Sequence, residues 1–339
     1  MLQGERSTGV SSAARLRMKP RPSRLLPLVA MALTLALFPG PAPRADEAGV
    51  SFWACGQYAS FAAQPYDPGF NLGMTWYSYA SSADASLKIF NGRHALFNVN
   101  SAFNSLWLTP SDTPAGKVWG GTLTLNITGL FGYNRQSGTI QLQPSGLYVA
   151  RGESLTSGGD LYPQACIAWS KGDHSWMAYL MGNIPVGSYD PGRYAEIGLG
   201  HWAADLGGAY TYASDTSGLE FSATLGFTYN WKNSDTQYQS GIDAHLDLGA
   251  SKALSNGTTV GLVGYLYHQL TADSGPGATW GPFYSSAAAI GAQVGRTFTI
   301  GGTPVAVNLR GYHDIRADHR VQGYTVYLVA SIPIGGKKR

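Results

Sequence analysis

Charged residues are scarce in this chain: Asp, Glu, Lys and Arg make up only 13% of its 339 residues, against about 25% in soluble domains. Its two cysteines, Cys55 and Cys166, are too few for a disulfide framework, although one bond between them in an oxidising compartment is an alternative. Beyond the N-terminus no apolar run is long enough for a transmembrane helix. What remains, with 44 glycines, 20 tyrosines and nine tryptophans, is typical of a β-barrel with aromatic girdles.

The N-terminus has the pattern of a secretory signal peptide. Basic residues from Arg15 to Arg24 precede an apolar run over 25–38, and small residues and prolines follow up to Ala45. The run is shorter than the roughly twenty residues that a membrane anchor needs. We therefore predict a signal peptide over 1–45, of which 1–17 is an over-extended start.

Removal of that segment changes the charge of the protein. Residues 1–45 hold seven of the 23 basic residues and one of the 20 acidic ones, so the net charge moves from +3 to about −3. Nucleic-acid binding, which favours a basic stripe, is therefore not expected.

The stretch 218–232, GLEFSATLGFTYNWK, alternates without interruption between apolar and polar side chains. Successive strand residues point to opposite faces, so one face is apolar over about a dozen residues, whereas strands of soluble domains usually have about five or six. Such a long alternation matches the roughly ten-residue strand with which a tilted barrel crosses a membrane. Shorter stretches of the same parity occur at 122–128, 242–251, 305–312 and 324–334.

Turn signals divide the chain into about twelve such strands. The predicted spans are 70–80, 98–109, 117–131, 160–170, 173–185, 205–213, 217–232, 239–252, 257–271, 284–299, 302–316 and 320–334. Short connections alternate with longer ones at 132–159, 186–204 and 272–283, which is typical of an outer-membrane barrel. We predict an all-β fold, an antiparallel transmembrane β-barrel over 70–339, located in the bacterial outer membrane, in contact with its lipid and with both termini in the periplasm. Barrel-assembly machinery is an expected partner.

Parity places six polar side chains on the inner faces of the strands. These candidate lumen residues are Glu220, Asp243, His245, Asp247, Asn308 and Arg310. They predict either a polar constriction that orients a solute or an ion-pair network that fills a narrow barrel. No cofactor and no metal site is expected, because residues two apart on a strand lie roughly 6–7 Å apart and cannot easily share one ion. No catalytic residue is expected either, since His268, the only candidate for a lipid hydrolase, has no Ser partner by parity.

Residues 46–69 precede the first predicted strand and are rich in aromatic residues, including Phe52, Trp53, Tyr58 and Phe61. They have no clean period. Two interpretations stay open: a strap packed under the periplasmic end of the barrel, or an aromatic plug that enters the lumen, where its rings could stack on an aromatic solute.

Four stretches resemble one known family. They are GVSFWACGQYASFAA (49–63), GNIPVGSYDPGRYAEIGLGHWAAD (182–205), AYTY followed by GLEFSATLGFTYNWKNSDTQYQSGIDAHLDLGAS (209–251), and GLVGYLYHQLTADSGPGA (261–278). The chain resembles the outer-membrane transport proteins named for the meta-pathway of phenol degradation. Where this chain has Ala54-Cys55-Gly56-Gln57, that family usually has Leu-Pro-Gly-Gln.

The resemblance implies a membrane barrel that admits small, often aromatic or hydrophobic, molecules. The expected function is therefore an outer-membrane channel for the uptake of such molecules, for example phenolic compounds. A lipid-modifying enzyme and a closed structural or adhesion barrel are the alternatives.

Overall fold

The computed structural model describes residues 51–89, 93–143, 147–278 and 284–334. The predicted signal peptide, with its over-extended start, and residues 46–50 lie outside this part. The strands are β1 (Gly69–Ile89), β2 (Arg93–Thr113), β3 (Lys117–Val118), β4 (Gly121–Gln143), β5 (Leu147–Lys171), β6 (His174–Asn183), β7 (Ala203–Ala213), β8 (Leu219–Asn230), β9 (Asp243–Ala253), β10 (Thr258–Gln269), β11 (Ser286–Ile300), β12 (Thr303–Asp318) and β13 (Gln322–Ile334). Among these residues no helix is long and apolar enough to cross a membrane.

The strands close into an antiparallel barrel. Each long strand pairs with its neighbour in sequence, β1 also pairs with β13, and β2 pairs directly with β4. The two-residue β3 extends the connection between β2 and β4 and pairs only with the start of β4. Twelve strands therefore form the wall of the barrel, which confirms the predicted fold class and strand number.

The two faces of the wall differ in polarity, as β8 illustrates. Phe221 and Phe227 point outward and are 45% and 46% exposed, whereas Ser222 and Thr224 point inward and are fully buried. A lipid-facing surface has to be apolar, while inward side chains have to satisfy their hydrogen bonds inside the barrel. The alternation of the sequence thus reports directly which face meets the membrane.

Four strands are much longer than predicted. β1, β2, β4 and β5 have 21, 21, 23 and 25 residues, whereas the other long strands have 10 to 16. The prediction of a long loop at 132–159 is wrong, because β4 continues to Gln143 and β5 already begins at Leu147. This stretch is polar and rich in glycine. Only the roughly ten residues of a strand that cross the membrane need an apolar face. Beyond them the strands can pair through their backbones whatever their side chains are. The alternation on which the prediction depended is therefore absent from 132–159.

The orientation of β8 can be checked by chemical labelling. In a Cys55→Ser/Cys166→Ser background, we expect Phe221→Cys, Leu225→Cys and Phe227→Cys to react with a lipid-soluble maleimide in proteoliposomes. Glu220→Cys and Thr224→Cys should react at least about tenfold more slowly, because their side chains are buried inside the barrel. Equal labelling of the two sets would contradict the register of the barrel.

Candidate functional site in the barrel lumen

Residues 51–68, here called the N-terminal segment, lie against the inner face of the wall. One end leads into Gly69 at the start of β1, and the other reaches the connection between β12 and β13, where Arg320 donates to the Ser51 hydroxyl at 3.2 Å. That connection lies at the opposite end of the barrel from Gly69, since β13 runs antiparallel to β1 and its last residue, Ile334, pairs with Phe70. The segment therefore extends from the end at which β1 begins to the connection between β12 and β13.

Gly56, in the first third of the segment, is bound through both its N–H and its carbonyl group. Its N–H donates to the Asp247 carboxylate at 2.9 Å, and its carbonyl accepts from the Arg310 guanidinium at 3.1 Å and from the Tyr312 hydroxyl at 3.0 Å. Arg310 also donates to the Gln57 carbonyl at 2.6 Å. Gly56 has a φ of +78°, and a Cβ at this position would lie 2.7 Å from the Tyr312 ring. Only glycine fits here without a rearrangement.

Nearer to β1, a second group of wall side chains accepts hydrogen bonds from the segment. Glu220 accepts from the N–H of Phe61 at 2.8 Å. Thr211 accepts from the N–H of Ala63 at 3.0 Å. Buried backbone groups have to be paired, and these pairs come from side chains of the wall instead of from a neighbouring strand.

The aromatic part of the segment packs on a buried polar network. The Trp53 ring lies 3.5 Å from the His245 ring, nearly parallel to it. His245 Nε2 lies 2.9 Å from the Asp205 carboxylate, which also accepts from the hydroxyls of Tyr179 at 2.7 Å and Thr228 at 2.6 Å. Sequence reasoning missed Asp205, although the alternation of β7 places it on the same inner face as Thr211.

The structure gives each predicted lumen residue a place on the inner face. Glu220, Asp247 and Arg310 bind the backbone of the segment, and His245 stacks on Trp53. Asp243 accepts from Asn230 on β8 at 3.0 Å, and Asn308 donates to Gln293 on β11 at 3.3 Å. Three of the six predicted lumen residues therefore bind the segment through its backbone.

The aromatic residues predicted for the segment are placed differently from one another. Trp53 is 1% exposed, and the Tyr58 hydroxyl accepts from Gln164 at 2.9 Å. Phe52 packs against Tyr162 on β5, whereas Phe61 is 39% exposed.

The two cysteines are not bonded to each other. Cys55 and Cys166 are both free thiols, which settles the alternative that the sequence left open. Cys55 packs against the hydrophobic clusters of the inner wall and behaves as a small apolar group.

The connection between β6 and β7, residues 184–202, folds back onto the long strands. Asp160, a buried residue of β5, accepts from the N–H groups of Gly187 at 2.8 Å and Leu199 at 2.9 Å. Asn134 on β4 donates to the Glu196 carbonyl at 2.6 Å. The next connection, 231–242, is joined to this one, because Asn233 donates to the Tyr189 hydroxyl at 2.8 Å. The long strands thus support a cover at the end of the barrel opposite Gly69.

The outer surface gives one correction to the sequence reasoning. His268 does have a serine opposite it, since it pairs with Ser286 across β10 and β11. The Ser286 hydroxyl, however, donates to the Asp318 carboxylate at 3.0 Å, and a serine nucleophile would instead have to donate to the histidine that activates it. In the described part of the chain, no three His, Cys, Asp or Glu side chains are grouped so as to hold a metal ion.

A closed antiparallel barrel with an apolar outer face and a polar, filled interior defines an outer-membrane β-barrel protein. Residues 91–329 match the family model described as "Putative MetA-pathway of phenol degradation". The chain belongs to this family, which confirms the resemblance seen in its sequence. No curated protein matches it significantly.

One solved structure agrees with the fold, and a second is a more distant likeness. The crystal structure of an outer membrane channel from Pseudomonas putida F1 superposes with a TM-score of 0.60 at 12% identity, covering 82% of this chain and 100% of that one. A FadL homologue from Pseudomonas aeruginosa has a TM-score of 0.41 at 11% identity, over 87% of this chain and 99% of that one. At 12% identity the likeness to the Pseudomonas putida channel concerns the fold alone.

Proposed function

We propose that this protein is an outer-membrane channel for the uptake of small hydrophobic or aromatic molecules, such as phenolic compounds, and that the N-terminal segment is the plug of its lumen. The observation that carries the proposal is the way in which the segment is held. Its N–H groups at Gly56, Phe61 and Ala63 donate to side chains of the wall, not to a strand backbone. A segment held in this way can leave while the backbone ladder of the barrel stays intact.

The lining of the lumen supports an aromatic or hydrophobic solute. Barrel interiors are usually polar, yet an aromatic cluster of this inner wall is buried against the segment. Its aromatic members on the wall are Tyr77, Trp107, Tyr265, Tyr312 and Tyr327. Rings of this kind bind other rings by offset or edge-to-face contacts. The name of the family, with its reference to phenol degradation, agrees with such a solute.

A closed structural barrel is the second candidate, and one observation favours it. The segment is bound by side chains from several strands of the wall, among them Asp247 on β9 and Arg310 on β12. If these bonds never break, the segment is a permanent filling that stabilises the wall, and no solute passes.

Deletion of residues 51–66 separates the two candidates. For a plug, we expect the deletion to raise single-channel conductance in planar bilayers and to speed the swelling of liposomes by phenol. For a permanent filling, thermal stability or yield should fall while conductance stays unchanged. Heat-modifiable migration on gels provides the control, since it reports a folded barrel independently of the pore. Unchanged conductance in a well-folded deletion variant would rule out the plug.

A further inference from the structure

Part of the inner wall is apolar, whereas the wall of a water-filled channel is usually polar. Side chains from β5, β6 and β7 form this patch, here called the sulfur patch. Its members are Cys166, Ala168, Met177, Tyr179, Met181 and Ala209. Trp53 and Ala63 of the N-terminal segment pack onto it and are buried there. If the segment leaves, the patch faces water, which is unfavourable in proportion to the apolar area exposed.

Trp53 lies at the edge of this patch between aromatic neighbours. It stacks on His245, and its ring centre lies 5.9 Å from that of Tyr179. The hydrogen bond between His245 Nε2 and the Asp205 carboxylate fixes the orientation of the His245 ring. The wall therefore provides a fixed aromatic ring, His245, and an apolar surface, the sulfur patch, without any contribution from Trp53.

Three polar atoms around this position have no hydrogen-bond partner in the described structure. They are Trp53 Nε1, His245 Nδ1 and Thr224 Oγ1, all buried. Thr224 is opposite Asp247 in the β8–β9 register, two residues along β9 from His245, so the two wall atoms belong to one small region. A buried polar atom left unpaired is costly and normally marks the place of a missing partner.

We propose that Trp53 occupies a solute site, and that this site takes a planar aromatic ring carrying a neutral hydroxyl or N–H group. The inference rests on the proposed function, because the site becomes available only when the segment moves. The solute ring would replace the indole on His245 and cover the sulfur patch, and its polar substituent would pair with His245 Nδ1 or Thr224 Oγ1. Trp53 is thus a tethered competitor that keeps the patch covered when no solute is present.

The charges near the site restrict the solute further. Asp205 already accepts three hydrogen bonds and is not available to a further donor. Asp243 and Asp247 flank His245 on the same face of β9. Carboxylates on both sides repel an anion, so a neutral phenol fits this site better than a benzoate of the same size.

The test uses Trp53→Ala in the full chain, with Trp231→Ala as a matched control whose ring is 47% exposed just after β8. The probes are indole, 2-naphthol, cyclohexanol and benzoate, and binding is measured by isothermal titration calorimetry in detergent. We expect Trp53→Ala to bind indole and 2-naphthol about tenfold more tightly than the unchanged protein does, since a competing ring is gone. Trp231→Ala should behave like the unchanged protein.

A second substitution shows whether the wall provides the site. Trp53→Ala/Tyr179→Leu keeps the volume of the patch approximately but removes an aromatic face and should lose the gain in affinity. The proposal is overturned if folded Trp53→Ala binds cyclohexanol or benzoate as tightly as indole, or binds indole no better than Trp231→Ala. Conductance is recorded in parallel on the variant that lacks residues 51–66. Aromatic binding by Trp53→Ala without any conductance of the deletion variant would refute the channel and leave the site standing, whereas conductance of the deletion variant without aromatic binding by Trp53→Ala would do the reverse.

Discussion

Replacement of Leu225 by arginine is expected to abolish assembly of the barrel. Leu225 points outward from the middle of β8, opposite Leu246 on β9, which in turn is opposite Leu266 on β10. This row of leucines faces the hydrocarbon of the membrane. An arginine facing lipid near mid-depth destabilises a barrel by about 2–4 kcal/mol, a large share of the roughly 5–15 kcal/mol that stabilises a typical protein.

The measurement is the fraction of heat-modifiable, protease-resistant barrel in outer-membrane preparations, where we expect little or none for Leu225→Arg. Trp231→Arg is the matched control, because this exposed side chain follows the end of β8, and near the interface the same change costs only about 0–1 kcal/mol. Normal assembly of both variants would show that the β8 face does not meet lipid.

Replacement of Gly56 by valine is expected to open the lumen without shortening the chain. Any side chain at this position meets the Tyr312 ring at 2.7 Å, and a non-glycine residue in the left-handed region adds about 1–2 kcal/mol of backbone strain. Both effects act on the segment and not on the barrel ladder. The bonds from Asp247 and Arg310 to the Gly56 backbone should therefore break, and single-channel conductance should rise toward that of the deletion variant.

Gly257, in the turn between β9 and β10, provides a closely matched control. Its φ is also +78°, but a Cβ there has nothing within 4 Å. Gly257→Val therefore carries the same backbone strain without the collision and should leave conductance unchanged. If Gly257→Val raised conductance as much as Gly56→Val does, backbone strain and not displacement of the segment would explain the rise.

The sequence predicted those parts of the fold in which lipid imposes a pattern. The alternation of 218–232 indicated β8 and the orientation of its side chains, since each outward position has to be apolar. The stretch 132–159 has no such pattern, because β4 and β5 extend beyond the membrane-spanning length there. The strand predicted from 239 begins at Asp243 for a similar reason: the preceding residues belong to a connection held by its own side chains, such as Tyr238, which donates to Asp273.

The sequence predicted the wall residues of the candidate site, but it did not predict the path of the N-terminal segment through the lumen. Parity placed Glu220, Asp247 and Arg310 on the inner face, and each of them binds the segment. The path of the segment could not be predicted, because its bonds join backbone groups to side chains distant in the sequence and leave no periodicity. The solute-binding role of these residues stays a prediction until binding is measured.

The bonds of the N-terminal segment also determine when it becomes ordered. Gly56 and Arg310 are 254 residues apart in the chain, and Cys55 and Tyr327, whose hydroxyl donates to the Cys55 carbonyl, are 272 apart. Contacts of such sequence separation form slowly, because the intervening chain has to lose its freedom first. The segment precedes the whole barrel in the chain, yet it can form these bonds only after β12 and β13 are in place. The pairing of β1 with β13, which closes the barrel, joins residues just as distant in the chain, so we expect the segment to become ordered late in folding, at the stage at which the barrel closes.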